Sequence, residues 1–341
     1  MKGRLILKIF MAAIFSCSTT MPAASEIADD AVKIPRLEIL VGNAPGGGFD
    51  LFARLLAQHF GRHIVGAPGV TVKNMPGGAG LRLLQHLAFQ APKDGTVVGI
   101  FNPALINGAM LEPNEFKIDL HGFGWIGSLS RDTKVCFASV ASGVRDASGA
   151  ATRGVVLGGT MQGSTALYGS IFRAIGGEKI RLILGYQSNN DVWLAVDRGE
   201  IDGGCTGWGA IPAARPDWIA ERKVDVLIQF ADKPDSSVPP APIAADLAKS
   251  TEMKAAIEFL TFADSFTRPV VTPPGVPGDR LRLLRQAFDE MIADTRFLQN
   301  AKAMNIDIYP MKGAELGAAV DSILATPAET IATARQISNF R

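Results

Sequence analysis

The chain has 341 residues, of which 47% are hydrophobic, and its formal net charge is +1. This length suits two domains of ordinary size, and 36 glycines suit an α/β protein with many tight turns. A nearly neutral chain with scattered charges lacks the basic surface that nucleic acids require, so we expect no nucleic-acid partner.

The N-terminal segment predicts export. Basic residues among the first eight positions precede a short apolar run, Ile9–Phe15, and the small residues Ala23–Ser25. The apolar run is too short to span a membrane and has the layout of a secretory signal peptide. We expect residues 1–25 to be this signal peptide, cleaved near Ser25, and the mature protein to be periplasmic.

The first unit of the mature chain is a strand, a glycine cluster and an amphipathic helix. Residues 37–43 predict the strand, Ala44–Gly48 the loop, and Phe49–Leu56 the start of the helix. The second unit repeats this order, with a strand at 70–75, the loop Pro76–Gly80 and a helix from residue 81.

Glycine-rich helix starts can bind anions. Each exposes unpaired N–H groups where the helix dipole favours negative charge, and glycine lets a ligand approach the backbone. A P-loop would need Gly-Lys-Ser/Thr where Phe49 and Asp50 stand, and the third glycine of the dinucleotide fingerprint is missing. The loops therefore predict a receptor for a small anion, the alternative being plain tight turns. We expect Asp50 to shape the first loop, because its charge would repel an anionic ligand.

Strands and helices alternate along most of the remaining chain. This pattern predicts parallel sheets with helices on both faces. The further predicted strands are 95–101, 125–129, 155–157, 181–186, 201–205 and 224–230, and the helices are 165–175, 191–198 and 279–292. Residues 187–190 are expected to cap the second of these helices, and Asp279 to cap the third.

The domain organisation follows from one predicted crossing of the chain. Residues 266–272 are extended and are interpreted as a return to the first domain. Domain 1 is then discontinuous, 30–129 plus 267–341, and carries both glycine loops. Domain 2 spans 130–266.

Several short motifs together resemble one protein family, the solute-binding component of tripartite tricarboxylate transporters, also called the Bug family. In chain order the motifs are Pro45–Asp50 with Ala53–Arg54, Asn74–Gly80, Ala91–Gly95, Gly163–Ser164, Gly185–Tyr186, Arg198–Asp202 and Val271–Pro277. Two positions depart from the family pattern. Gln187 stands in place of a lysine that many members carry, and Phe49 is bulkier than the common threonine.

The resemblance implies a type II-like periplasmic binding protein fold, with two doubly wound α/β domains and a ligand cleft between them. It also implies a small organic carboxylate as ligand, integral membrane subunits of a tripartite transporter as partners, no cofactor and no catalysis. We expect a monomer. The ligand-binding residues that it implies are Pro45, Gly46, Gly47, Pro76, Gly77 and Gly78 on one wall, and Thr160, Gly163, Ser164, Thr165, Tyr186, Gln187 and Ser188 on the other.

Other residue types suggest rival functions, and each has a simpler interpretation. His59 and His63 have a metal-binding spacing but no third ligand, so we expect surface residues and no metal site. Ser164 lacks the flanks of a nucleophile elbow and fits a helix N-cap, which can also contact a ligand. Trp193 and Trp208 either line a pocket or pack in the core. An α/β enzyme with a phosphorylated cofactor and a secreted sensor module are the alternative functions.

The chain has three cysteines, and Cys17 belongs to the predicted signal peptide. An even pair, Cys136 and Cys205, remains for an oxidising compartment, which favours a disulfide between them. The alternative is two buried, unpaired cysteines that pack as small apolar residues.

Overall fold

The computed structural model describes residues 34–66, 69–160 and 164–338. The predicted signal peptide, 1–25, with Cys17, lies outside the described residues, as does Gly163. Ser164 belongs to a helix, but its side chain is not described.

The described residues form one compact unit with two β-sheets. The strands are β1 (Leu37–Val41), β2 (Val70–Asn74), β3 (Val97–Ile100), β4 (Gly124–Ser128), β5 (Lys134–Ser139), β6 (Val155–Thr160), β7 (Ile180–Tyr186), β8 (Gly203–Gly207), β9 (Val224–Phe230), β10 (Pro269–Thr272) and β11 (Met311–Lys312). The first sheet has the order β11-β4-β10-β3-β1-β2, and the second has the order β7-β6-β8-β5-β9.

Helices occupy most of the chain between these strands. They are α1 (Gly48–Phe60), α2 (Leu81–Phe89), α3 (Ala104–Leu111), α4 (Pro113–Phe116), α5 (Ala147–Arg153), α6 (Ser164–Gly176), α7 (Asn189–Asp197), α8 (Ala210–Ala214), α9 (Pro216–Ala220), α10 (Thr251–Thr261), α11 (Gly278–Ala293), α12 (Thr295–Ala303), α13 (Gly313–Leu324) and α14 (Ala328–Ser338). In the part of the chain that the structure describes, no helix has the length and apolar character needed to cross a membrane.

Both faces of each sheet are covered by helices. In β1, Ile39 and Val41 pack into one apolar cluster with α1, α11 and α12, whereas Leu40 packs into another with α2, α3 and α13. The second sheet packs one face against α5, α6 and α10 and the other against α7 and α9. Because strand side chains alternate between faces, a strand that is apolar at every position must be covered on both sides. The predicted α/β fold with two doubly wound sheets is confirmed.

The sheets are mixed, so the prediction of parallel sheets was wrong for some strands. β1 runs parallel to β2 and β3, but β10 runs antiparallel to β3 and β4. In the second sheet β5 runs antiparallel to β8 and β9. Strand β10 enters the first sheet at the edge where β4 ends, because the chain returns there from the second sheet, and it must therefore run in the opposite direction. Strand β5 enters the second sheet in the same way.

The chain passes between the two sheets at residues 129–133, after β4, and at residues 266–268, before β10. These two crossings lie side by side. The Thr267 N–H donates to the Ser130 carbonyl at 2.8 Å, and the two hydroxyls are 2.8 Å apart. Next to this pair, the Leu129 N–H donates to the carbonyl of Arg268 at 3.3 Å. These bonds fix the start of β10 against the end of β4.

The last helix, α14, packs against the core of the second sheet. Ala334 and Ile337 of α14 belong to the apolar cluster that also contains Phe172 and Phe259, on the second sheet's side. The assignment of all of 267–341 to domain 1 stays a prediction.

Two predicted helix caps have different outcomes. The Ser188 hydroxyl accepts a hydrogen bond from the Asp191 N–H and is the N-cap of α7. Asp279 lies within the first turn of α11, whose N-cap residue is Pro277, so the prediction that Asp279 caps this helix was wrong. Pro277 has an extended backbone before the helix, and the Asp279 carboxylate accepts instead from the N–H of the next residue, Arg280, at 2.9 Å within the first turn.

A disulfide joins the two cysteines of the described chain, Cys136 and Cys205. They are register partners on the antiparallel strands β5 and β8, with their Cα atoms 4.0 Å apart. Both side chains are buried in the core of the second sheet. The bond therefore links strands that are distant in sequence within one apolar layer.

We predict that Cys136 and Cys205 resist thiol labelling in denatured, unreduced protein and react only after reduction. The bond closes a loop with a sequence separation of 69, and the chain-entropy model then gives a stabilisation of about 4 kcal/mol. Peptide mapping of the labelled protein identifies the reactive cysteines. Urea unfolding of the oxidised and reduced forms measures the stabilisation by the bond. Labelling of both cysteines without reduction would exclude the bond.

Candidate functional site

The two glycine loops leave the same edge of the first sheet. Strands β1 and β2 are parallel neighbours, and their last residues, Val41 and Asn74, are register partners. The loops therefore begin next to each other, at the carboxyl end where ligands bind in open α/β sheets. A Cβ atom on Gly42 would lie 3.1 Å from the Cα atom of Gly80, so the loop backbones touch where both residues lack side chains.

A buried carboxylate and an amide hold these loops together. The Asn74 side chain donates to the Asn43 carbonyl at 3.0 Å and to Asp50 Oδ1 at 3.0 Å. The other carboxylate oxygen, Asp50 Oδ2, accepts from the Gly46 N–H at 2.9 Å and from Arg54 Nε at 2.9 Å. We call this set of bonds the Asp50–Asn74 clamp, because it connects the first loop, helix α1 and the end of β2.

The clamp fixes the charge of Asp50. The hydrogen bond from Arg54, with those from Gly46 and Asn74, lowers the pKa of Asp50 to about 2, although burial acts in the opposite direction. Asp50 is therefore ionised at neutral pH and shapes the first loop, as its position predicted. Because the Gly46 N–H is donated to Asp50, the prediction that it binds a ligand is not supported by this geometry.

Free N–H groups remain at the start of α1. Among the described residues, the structure gives no hydrogen-bond acceptor to the N–H groups of Gly47, Gly48 and Phe49. Pro45, Gly46 and Gly47 are exposed, so this helix start is open to solvent. An open helix start with unpaired N–H groups can bind an anion.

The second loop has a backbone that requires glycine. Gly77, Gly78 and Gly80 have φ values of 144°, 54° and 107°, in the region that side chains disfavour. Pro76, Gly77 and Gly78 are exposed, and their contact with a ligand stays a prediction; Pro76 has no N–H group to donate. A side chain at Gly77 would also meet Arg82, with a Cβ–Cδ distance of 3.2 Å. This loop is thus specified by backbone conformation, and substitutions in it would disturb folding as well as binding.

The predicted residues of the second wall meet at the ends of β6 and β7. Thr160 and Tyr186 are register partners there. The Thr160 N–H donates to Thr165 Oγ1 at 3.0 Å, and the two threonine hydroxyls are 2.9 Å apart. Thr165 is buried, Tyr186 is half-buried, and Gln187 and Ser188 are exposed. The structure thus places the Thr165 hydroxyl against Thr160, at the end of β6.

Arg268 is a charged residue that the sequence analysis missed. It lies at the start of β10, and its guanidinium carbon is 4.2 Å from the centre of the Phe49 ring and 5.1 Å from that of Phe52. Its Nη1 donates to the Thr267 carbonyl at 2.8 Å, and burial lowers its pKa. In the sequence, Arg268 could be noticed only as a single basic residue within the predicted crossing 266–272.

His59 and Trp193 are buried in the interior of the protein. His59 is buried between Arg62 and Asn300, so the prediction of a surface residue was wrong for it. Helix α12 covers this face of α1, which the local pattern could not show. Trp193 is buried, and its ring centre is 6.3 Å from that of Trp218. No group of three or more metal-ligating side chains occurs within residues 34–66, 69–160 and 164–338.

A cavity of about 780 Å³ lies elsewhere, next to the crossings. Its walls include Arg131, Asp264 and Tyr309, and burial raises the pKa of the Asp264 carboxyl to about 7. None of the predicted ligand-binding residues that the structure describes lines this cavity. The glycine loops and the cavity are therefore separate places where a ligand could bind.

Known structures share the fold of this chain. A TctC solute-binding protein from Polaromonas aligns with a TM-score of 0.68 at 17% identity, over 88% of this chain and 98% of the other. A Rhodopseudomonas palustris protein with adipate aligns with a TM-score of 0.56 at 17% identity, over 88% and 97% of the two chains. MatC from the same organism, with bound malate, aligns with a TM-score of 0.54 at 17% identity, over 89% and 99%.

These likenesses show that the chain shares its fold with a TctC solute-binding protein and with the malate- and adipate-bound proteins. No protein-family model matches the sequence. No curated protein matches it either.

We predict that Asp50→Asn lowers the free energy of unfolding by about 2 kcal/mol at pH 7, because the amide N–H₂ would replace one carboxylate oxygen and face either the Asn74 donor or those of Gly46 and Arg54. The folded-state pKa of Asp50 is lowered to about 2. The contribution of Asp50 to stability is therefore complete above its unfolded-state pKa of about 4, and it is lost as the pH falls from about 4 through the folded-state pKa of about 2. Urea unfolding at several pH values measures the difference.

Asp321→Asn is the matched control, because Asp321 is an exposed residue of α13. This variant should unfold like the unsubstituted protein. Equal stability of Asp50→Asn and Asp321→Asn at pH 7 would show that the clamp does not stabilise the fold.

Proposed function

We propose that this protein is a periplasmic receptor that captures a small organic carboxylate and delivers it to the membrane subunits of a tripartite transporter. The observation that carries this proposal is the open start of α1, where the Asp50–Asn74 clamp leaves the N–H groups of Gly47 and Gly48 without an acceptor in the described chain. The shared fold with structures that hold malate and adipate supports a carboxylate as the ligand.

The proposed contact is a carboxylate against the first turn of α1. Its oxygens accept hydrogen bonds from the N–H groups of Gly47 and Gly48, and the helix dipole adds a favourable interaction with the negative charge. Asp50 does not oppose this binding strongly, because Arg54 and the N–H groups of Gly46 and Asn74 already balance its charge.

We propose that the ligand lies between domain 1, residues 30–129 and 267–341, and domain 2, residues 130–266. The opposing wall would consist of the loops after β6 and β7, with Thr160, Gly163, Ser164, Tyr186, Gln187 and Ser188. Thr165 supports this wall through its hydroxyl group. The two crossings, where Ser130 bonds Thr267, would allow the domains to close on the ligand.

The proposed activity is binding without catalysis. The solved structures that share the fold include a TctC solute-binding protein, and two others hold malate and adipate. We propose that the protein acts as a monomer, without a cofactor, and that its second partner is the integral membrane part of the transporter.

We predict that a small carboxylate stabilises the protein against heat and that Gly47→Leu abolishes this effect. Gly47 has an ordinary φ of −83°, and its Cβ would meet only the Ala44 carbonyl, at 3.7 Å. The substitution should therefore fold but block access to the α1 amides. At a ligand concentration 100 times the dissociation constant, the stabilisation is about 2.7 kcal/mol. A thermal-shift screen of mono- and dicarboxylates measures it.

Gly278→Leu provides the control, since Gly278 begins α11 and has open space around its Cβ position. This variant should keep the full shift. If Gly47→Leu folds and keeps it as well, the ligand binds away from the start of α1.

We also predict export with removal of the signal peptide. The basic start and short apolar run of residues 1–25 motivate this prediction. Mass spectrometry of a periplasmic extract should find a mature N-terminus between Ala23 and Asp30. Recovery of the uncleaved chain from the cytoplasm alone would contradict it.

A further inference from the structure

Arg268 carries a positive charge that no carboxylate of the described chain neutralises by direct contact. Other guanidinium groups, such as those of Arg54 and Arg215, form ion pairs with aspartates. Arg268 forms none within the described residues, and its Nε atom is buried without a hydrogen-bond partner. A partly buried charge without a counter-ion is costly unless it has a function.

The nearby carboxylates are already engaged. Asp50 is held in the clamp by Arg54 and Asn74. The negative charge of Asp132 acts to raise the pKa of Arg268, but the Asp132 carboxylate is paired with Lys134. The guanidinium is instead held by aromatic rings and one carbonyl, which position a cation without neutralising it.

The guanidinium also lies against the start of α1. Arg268 Nη2 is 3.3 Å from the position that a Cβ atom on Gly48 would take. The unpaired N–H groups of Gly48 and Phe49 begin the same helix turn, so a cation and the positive end of a helix dipole are neighbours. An anion placed there would interact favourably with both groups.

We infer that Arg268 makes the charge-bearing contact with the ligand, forming a salt bridge to the carboxylate whose oxygens also reach the α1 amides. This inference rests on the proposed function and defines the ligand class. The site selects organic acids that are ionised at this carboxylate and rejects neutral amides of the same shape, because an amide cannot neutralise the guanidinium.

Phe49 gains a role from the same geometry. This residue is bulkier than the threonine that is common at this position in the family that the sequence resembles. Its ring supports the Arg268 guanidinium from a distance of 4.2 Å, so the aromatic residue and the arginine act as a pair. Phe49 is a positioning residue for the charged group.

The test is isothermal titration calorimetry of the mature protein with malate, adipate and the neutral analogue adipamide. We expect at least one dicarboxylate to bind and adipamide not to bind. Arg268→Gln should weaken the binding of that dicarboxylate roughly 10- to 100-fold, the range for hydrogen bonds to charged groups. Arg153→Gln removes the same charge from the exposed end of α5 and should bind within twofold of the unsubstituted protein.

The stability of the ligand-free variant provides a second measurement. We expect Arg268→Gln to melt at the same temperature as the unsubstituted protein or higher, because an unneutralised cation is removed. A variant that fails to fold or melts much lower would show that the guanidinium has a structural role, and this result overturns the inference.

The outcomes separate the two proposals. If the unsubstituted protein binds a dicarboxylate and Arg268→Gln binds it within twofold, the inference is wrong while the proposed function stands. If adipamide binds as well as adipate, selection by charge is wrong. If the unsubstituted protein binds none of these compounds, the proposed function fails and the inference fails with it.

Discussion

The arrangement of the site depends on the Asp50–Asn74 clamp. The loops after β1 and β2 start side by side, but loops rich in glycine have little conformational preference of their own. The clamp fixes the conformation of these loops. The Asp50 carboxylate accepts from Gly46, Arg54 and Asn74, and the Asn74 amide also donates to the Asn43 carbonyl. The start of α1 is therefore presented to solvent in a fixed position before any ligand arrives, which lowers the entropic cost of binding.

The electrostatic balance of this edge follows from which charges are neutralised internally. Asp50 is surrounded by donors, whereas among the described residues the Arg268 guanidinium is held by aromatic rings and the Thr267 carbonyl. The negative charge is thus part of the scaffold, and the positive charge is left for an external partner. In the proposed receptor, this charge would attract anions although the whole chain has a formal net charge of only +1.

The sequence predicted what depends on local pattern and missed what depends on long-range contacts. The apolar run 224–230 predicted strand β9 with its observed limits, Val224–Phe230. The direction of β10 could not be predicted, because an apolar run is the same in either direction. Likewise, burial of His59 depends on Asn300 and α12, and the role of Arg268 depends on Phe49, more than 200 residues earlier in the chain.

The most direct test is a crystal structure of the protein with a carboxylate that stabilises it in solution. Our account predicts that one carboxylate group lies at the start of α1, within hydrogen-bond distance of the N–H groups of Gly47 or Gly48 and of the Arg268 guanidinium. A ligand bound instead in the cavity beside Arg131 and Tyr309, with the α1 amides facing only water, would contradict it.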